Sequence, residues 1–142
     1  MDWFTGMSAL QAAALYTALL TLVLLGLKLF VGARRGALKV PSGDVSNPEF
    51  ARVQRVQQNA VEDVPVLVIA LVLSAMLAAP VWLIHAAGAV LVISRLGHAF
   101  GLASKDGFSP GRAFGTLGTL LVYLALAAAL LLRAFDAGIG SA

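Results

Sequence analysis

The segment Glu49 to Pro65 reads EFARVQRVQQNAVEDVP and runs without a break into VLVIALVLSAML, a stretch suited only to lipid or to a protein interior. Read as one helix, Arg52, Arg55, Asn59 and Glu62 recur at steps of three, four and three, so the four share one stripe. The stripe climbs about 15 Å, at about 1.5 Å per residue. Two guanidinium groups, an amide and a carboxylate at the entrance to a membrane are costly if left facing hydrocarbon. They require partners, and a polar ligand would supply them.

Hydrophobic residues make up 60% of the 142-residue chain and charged residues only 12%, with a mean hydropathy of +0.91. Soluble domains carry about 25% charged residues. The chain is therefore read as an all-α membrane protein, a four-transmembrane-helix bundle occupying residues 1–142 as a single domain. The absence of cysteine excludes disulfides, thiolate metal sites and a cysteine nucleophile. His85 and His98, far apart on one helix, make no metal site. The net charge of +3 is read as an orientation signal, with no nucleic-acid partner expected. MDWFTGMSAL lacks the basic start and cleavage context of a signal peptide, so the first apolar stretch is expected to remain as a helix.

Four spans are expected, at 8–31, 49–77, 81–102 and 112–135, each close to the roughly 20 residues a bilayer demands. Trp3, Phe4 and Trp82 suit the membrane interface, and Lys28 can snorkel to it. Asn47-Pro48-Glu49 combines a cap, a first-turn proline and an acid at the positive dipole end. Pro65 falls inside the second helix, where a kink is expected. Ala78-Ala79-Pro80 leaves so little chain that helices two and three must be antiparallel neighbours. Gly115, Gly118 and the alanines around Leu126 give helix four a close-packing face, compatible with self-association.

Orientation follows from the positive charges. Lys28, Arg34, Arg35, Lys39, Arg52, Arg55, Arg95, Lys105 and Arg112 gather at one end, and Arg133 alone at the other. Loops 32–48 and 103–111 are thus expected in the cytoplasm and both termini outside. The chain's alanine-rich, short-looped style points to a bacterial inner membrane.

The polar groups of three helices meet at that cytoplasmic end: Arg52, Arg55, Asn59 and Glu62, then Arg95 and His98, then Arg112. Internal pairing could join Glu62 to Arg95, and Asp63 to Arg55 or Lys105; one such pair is expected, Glu62 with Arg95. Basic groups outnumber these two acids, so an anionic ligand is expected to balance the remainder, and arginine forks suit its carboxylates.

The run PEFARVQRVQQNAVEDVP, with Arg55, Asn59, Glu62 and Pro65 in register, resembles the helix-two signature of the MAPEG family, the membrane-associated proteins of eicosanoid and glutathione metabolism. The resemblance extends to Ala33-Arg34-Arg35, to Arg95 with His98, and to Pro110-x-Arg112. It implies a left-handed bundle assembling as a homotrimer, with sites between subunits open to the cytosol. It also implies glutathione, whose thiolate attacks lipophilic electrophiles or reduces hydroperoxides. Carried over by motif, Arg34, Arg52, Arg55, Asn59, Glu62, Arg95 and His98 would hold the tripeptide, and Arg112 would stabilise its thiolate. Partners would be a second and third copy, glutathione, a lipophilic small molecule or lipid, and membrane lipids. Phe100 and Leu102 depart from the family, several members of which carry a tyrosine and another aromatic there; Gln58 and Asp63 also differ. Tyr123 is read as a packing residue. These departures keep open a non-catalytic, lipid-binding or scaffold member of the same fold.

Overall fold

The structure is a computed structural model, and it describes residues 6–42, 46–104 and 109–139. Trp3, Phe4 and Lys105 of the sequence reading lie outside these residues. Four helices account for nearly all the rest: α1 Ala9–Ala37, α2 Pro48–Met76, α3 Val81–Ser104 and α4 Pro110–Ile139. All four are long and apolar enough to cross a membrane.

Local chemistry sets the helix ends. At the start of α1, Ser8 Oγ accepts from Gln11 N at 3.2 Å while Gln11 Oε1 accepts from Ser8 N at 2.8 Å, a reciprocal capping box. The helix does not stop at Val31 but runs two turns further, through Arg34 and Arg35. Nothing between Gly32 and Ala37 breaks a helix outright, and two arginines in the last turn favour its negative dipole end. It ends where Lys39 adopts a φ of 51° and Pro41 biases Val40 away from helical geometry. The expected loop 32–48 is correspondingly shorter. Asn47 caps α2, its Oδ1 accepting from Phe50 N at 3.0 Å, with Pro48 in the first turn. Pro65 lies within α2, which is helical from Pro48 to Met76. The α2–α3 connection closes through Ala78 at φ 57°, with Ala79 N donating to Ser74 O at 2.9 Å. Arg112 is not the start of α4; the helix begins at Pro110, behind Ser109.

Helices α2 and α3 occupy the middle of the bundle. Each touches the other three helices, whereas α1 and α4 make no contact with each other among the described residues. Two apolar clusters result. The larger joins Tyr16, Leu20, Leu67, Leu71, Ile84, Leu91 and Leu126; the smaller joins Val31, Val40, Phe50 and Val53. Along α2 the stretch between Val53 and Val64 carries Asn59 and Asp63, so a polar layer interrupts the core. The outer faces are apolar as well: Leu22, Ile69, Leu124 and Trp82 are all more than half exposed, as lipid-facing side chains should be.

The ends of α1 and α2 are joined on the basic side of the bundle. Arg34 pairs with Glu49, and the Arg35 guanidinium lies 5.0 Å from the centre of the Phe50 ring. At the other end Tyr16 OH and His85 Nδ1 are 3.1 Å apart, linking α1 to α3.

The closest approach is between α3 and α4. A Cβ on Gly115 would stand 2.5 Å from both His98 Cβ and Ser94 O, and one on Gly101 would collide with the backbone at Arg112. Only glycine permits this seam. Gly115→Ala is expected to cost about 1–3 kcal/mol through overpacking. Gly26→Ala, where nothing lies within 4 Å, is expected to be neutral or stabilising by about 0.5–1 kcal/mol. Thermal denaturation of the two variants in detergent measures the difference.

Candidate functional site

The polar layer is built from three helices. On α2, Asn59 and Asp63 are four residues apart and share a face. On α3, Arg95 and His98 are buried, at 3% and 8% exposure. On α4, Arg112, Thr116, Thr119 and Tyr123 follow steps of four, three and four, forming a stripe about 16 Å long. These residues, with Leu120, line a slot of about 280 Å³.

Arg95 is its organising group. Nη1 donates to Asp63 Oδ2 at 2.7 Å and to the Asn59 carbonyl at 3.4 Å. Nη2 donates to the Gly115 carbonyl at 3.1 Å and to Thr119 Oγ1. Thr119 in turn donates to Gly115 O at 2.8 Å. Nε is buried without a hydrogen-bond partner. The second oxygen of Asp63, Oδ1, accepts from Tyr123 OH at 3.2 Å. One carboxylate therefore ties α2 to α3 and α4 together.

His98 is held at both nitrogens. Asn59 Nδ2 lies 3.2 Å from Nε2, and Thr116 Oγ1 lies 3.3 Å from Nδ1. With the Asn59 amide donating, Nε2 must accept, so the ring proton sits on Nδ1 and points to Thr116. Arg112 stands at the entrance of α4, where Ser109 Oγ accepts from its backbone N–H at 3.2 Å and donates to Gly101 O at 2.9 Å. Among the described residues the Arg112 guanidinium has no carboxylate partner. Among the described residues the slot thus holds a balanced pair, Asp63 with Arg95, and one cation without a counter-charge.

Four of the residues expected in the site come together here: Asn59, Arg95, His98 and Arg112. Arg34, Arg52, Arg55 and Glu62 do not line the slot. Arg34 is engaged with Glu49, while Arg55 and Glu62 lie on the exposed face of α2 beside Gln58. The expected Glu62–Arg95 pair is corrected to Asp63–Arg95, which also takes the place of a pairing of Asp63 with Arg55; Lys105 lies outside the described residues. The reason is angular. Three residues on from Asn59, Glu62 falls about 60° back round the helix, whereas Asp63 falls about 40° forward, towards α3. Tyr123 packs against the larger apolar cluster, as expected, and its hydroxyl in addition donates to Asp63. The α4 stripe was visible in the sequence as spaced hydroxyls in an otherwise apolar helix. Phe100, on α3, is 73% exposed, so the phenol of this site comes from α4 instead.

A family model described as the MAPEG family matches residues 13–132. The chain is also similar to inner membrane protein YecN of Escherichia coli strain K12. The two are 33% identical over 91 residues, covering 64% of this chain and 70% of that protein. YecN of Escherichia coli O6:H1 strain CFT073 matches with the same figures.

The geometry separates the two neighbouring acids of α2. Asp63→Ala strands a buried guanidinium and is expected to destabilise the protein by about 3 kcal/mol, towards the lower end for a broken buried pair, because the Asp63 side chain is 32% exposed. Glu62→Ala is expected to stay within about 0.5 kcal/mol of the parent. Unfolding of both variants in mixed micelles gives the comparison.

Proposed function

The chain belongs to the MAPEG family, and from that premise we propose that it is a membrane-bound glutathione-dependent transferase or peroxidase, assembled as a homotrimer in a bacterial inner membrane. The observation that carries this reading is the charge balance of the slot. Asp63 and Arg95 cancel, and Arg112 is left with no counter-charge among the described residues. A site of this kind is short of one anion. The buried, unpartnered Nε–H of Arg95 adds a donor that lacks an acceptor.

The residues present fit glutathione. When bound, it supplies a thiol whose conjugate base is the nucleophile or reductant. Arg112 would hold the negative sulfur and lower the thiol's pKa through a fixed positive charge. Asn59, with an acceptor oxygen to spare, and His98 would orient the peptide. Arg95 would stay clamped by Asp63 and Thr119, contributing positive potential and rigidity.

At about 280 Å³ the slot is small for a tripeptide, since small-molecule sites usually begin at roughly 300 Å³. In this reading the remainder of the ligand rests on the polar outer face of α2, at Arg55 and Glu62, beneath a neighbouring copy. Arg34 and Arg52, outside the slot of one chain, belong to the same shared region.

The second reading, a non-catalytic lipid-binding or scaffold protein, draws on a different feature. An apolar groove of about 580 Å³ runs between α1 and α3, over Val56 of α2, along Leu19, Leu22, Gly26, Phe30 and Leu96. In the enzymatic reading the lipophilic substrate arrives through the bilayer.

Titration of the detergent-solubilised protein with glutathione, followed by thiolate absorbance, decides between them, with the serine-for-cysteine analogue as control. A saturable thiolate signal supports the transferase reading; no binding of either compound at millimolar concentration removes it. Arg112→Ala is expected to bind the analogue within a few-fold of the parent. Its ratio of thiolate to thiol at neutral pH is expected to fall about tenfold, one pH unit in the bound thiol. An unchanged thiolate signal would take Arg112 out of the mechanism.

A further inference from the structure

The uncompensated cation of the slot shares it with a carboxylate. Asp63 and Arg112 line the same cavity, and a carboxylate can accept about four hydrogen bonds. Both Asp63 oxygens are engaged by other groups, Oδ2 by Arg95 and Oδ1 by Tyr123. We propose that Tyr123 is a positioning residue: by donating to Asp63 Oδ1 it keeps that carboxylate from pairing with Arg112 and so leaves Arg112 free for the ligand's anionic sulfur. This rests on the glutathione reading above.

The other groups of the slot are already committed. The titratable and charged side chains lining it are Asp63 from α2, Arg95 and His98 from α3, and Arg112 and Tyr123 from α4; α1 contributes none among the described residues. The terminal nitrogens of Arg95 bind Asp63, Asn59, Gly115 and Thr119. The His98 ring is spanned by Asn59 and Thr116. Once the phenol is removed, two donor groups of the slot lack an acceptor, the buried Arg95 Nε and the Arg112 guanidinium, and of these only Arg112 has no carboxylate partner among the described residues. An acceptor stripped of its donor is costly wherever water reaches it poorly, so Oδ1, on a side chain 32% exposed, takes the next donor available. An Arg112 neutralised in this way stabilises a thiolate poorly.

Tyr123→Phe removes one hydroxyl and keeps the ring. In the full-length protein in detergent, the pH titration of bound glutathione should move up by about half to one unit, and the thiolate fraction at neutral pH should fall several-fold. Binding of the serine-for-cysteine analogue should change less than threefold. In an Arg112→Ala background the same substitution should do nothing further, because its route of action is gone. An unchanged titration midpoint in Tyr123→Phe overturns the proposal. So does an equal shift with and without Arg112, which would mean that Tyr123 acts by another path. If the parent itself gives no thiolate signal, the glutathione reading falls and this inference falls with it. A parent signal with an unmoved midpoint sinks the positioning role alone.

Discussion

The buried guanidinium of Arg95 is the constraint around which the rest of the bundle is arranged. A charge at 3% exposure inside a helical membrane protein must be matched by an opposite charge and by hydrogen-bond acceptors. Its partners come from α2, as the Asp63 carboxylate and the Asn59 carbonyl, and from α4, as the Gly115 carbonyl and Thr119 hydroxyl. The backbone of α4 can reach it only because residue 115 has no side chain, which lets α4 lie against Ser94 and His98. Packing and electrostatics are therefore one requirement. The glycine seam brings the carbonyl to the arginine, and the arginine fixes how far α4 sits along α3.

The same arrangement explains the division of the core. Apolar clusters on either side of the polar layer need no specific geometry beyond close packing. The layer itself is specific, since most of its hydrogen bonds join a named donor to a named acceptor on another helix. The α1 helix stands apart from this layer. It is held near its two ends, by Tyr16 with His85 and by Arg34 with Glu49, and otherwise by apolar contact.

Much of this was legible in the amino-acid sequence. Four apolar runs gave four helices, and the Asn47-Pro48-Glu49 signal placed the start of α2. Asn59, Arg95, His98 and Arg112 could be grouped because charged or amide side chains at one depth of a membrane have few places to go. Sequence spacing failed where the answer depended on tens of degrees. Steps of three and four define a stripe but not its centre, so Glu62 and Asp63 could not be ranked without knowing where α3 lies. Tyr123 looked ordinary because aromatic residues are common in apolar helices. Its hydroxyl gains meaning only from Asp63, 60 residues away in the chain. The extension of α1 past Val31 was hidden for another reason: polar residues mark where a helix leaves the lipid, not where it ends.

Both members of the Asp63–Arg95 pair sit on the hairpin formed by α2 and α3, which the tight turn at Ala78 holds together. During synthesis this hairpin is complete before α4 has been made. An arginine that would be refused by the bilayer alone can thus enter as half of a neutral unit. The glycine-faced fourth helix then closes over a charge that has already been cancelled. The chain order of the helices is in this sense also an order of insertion.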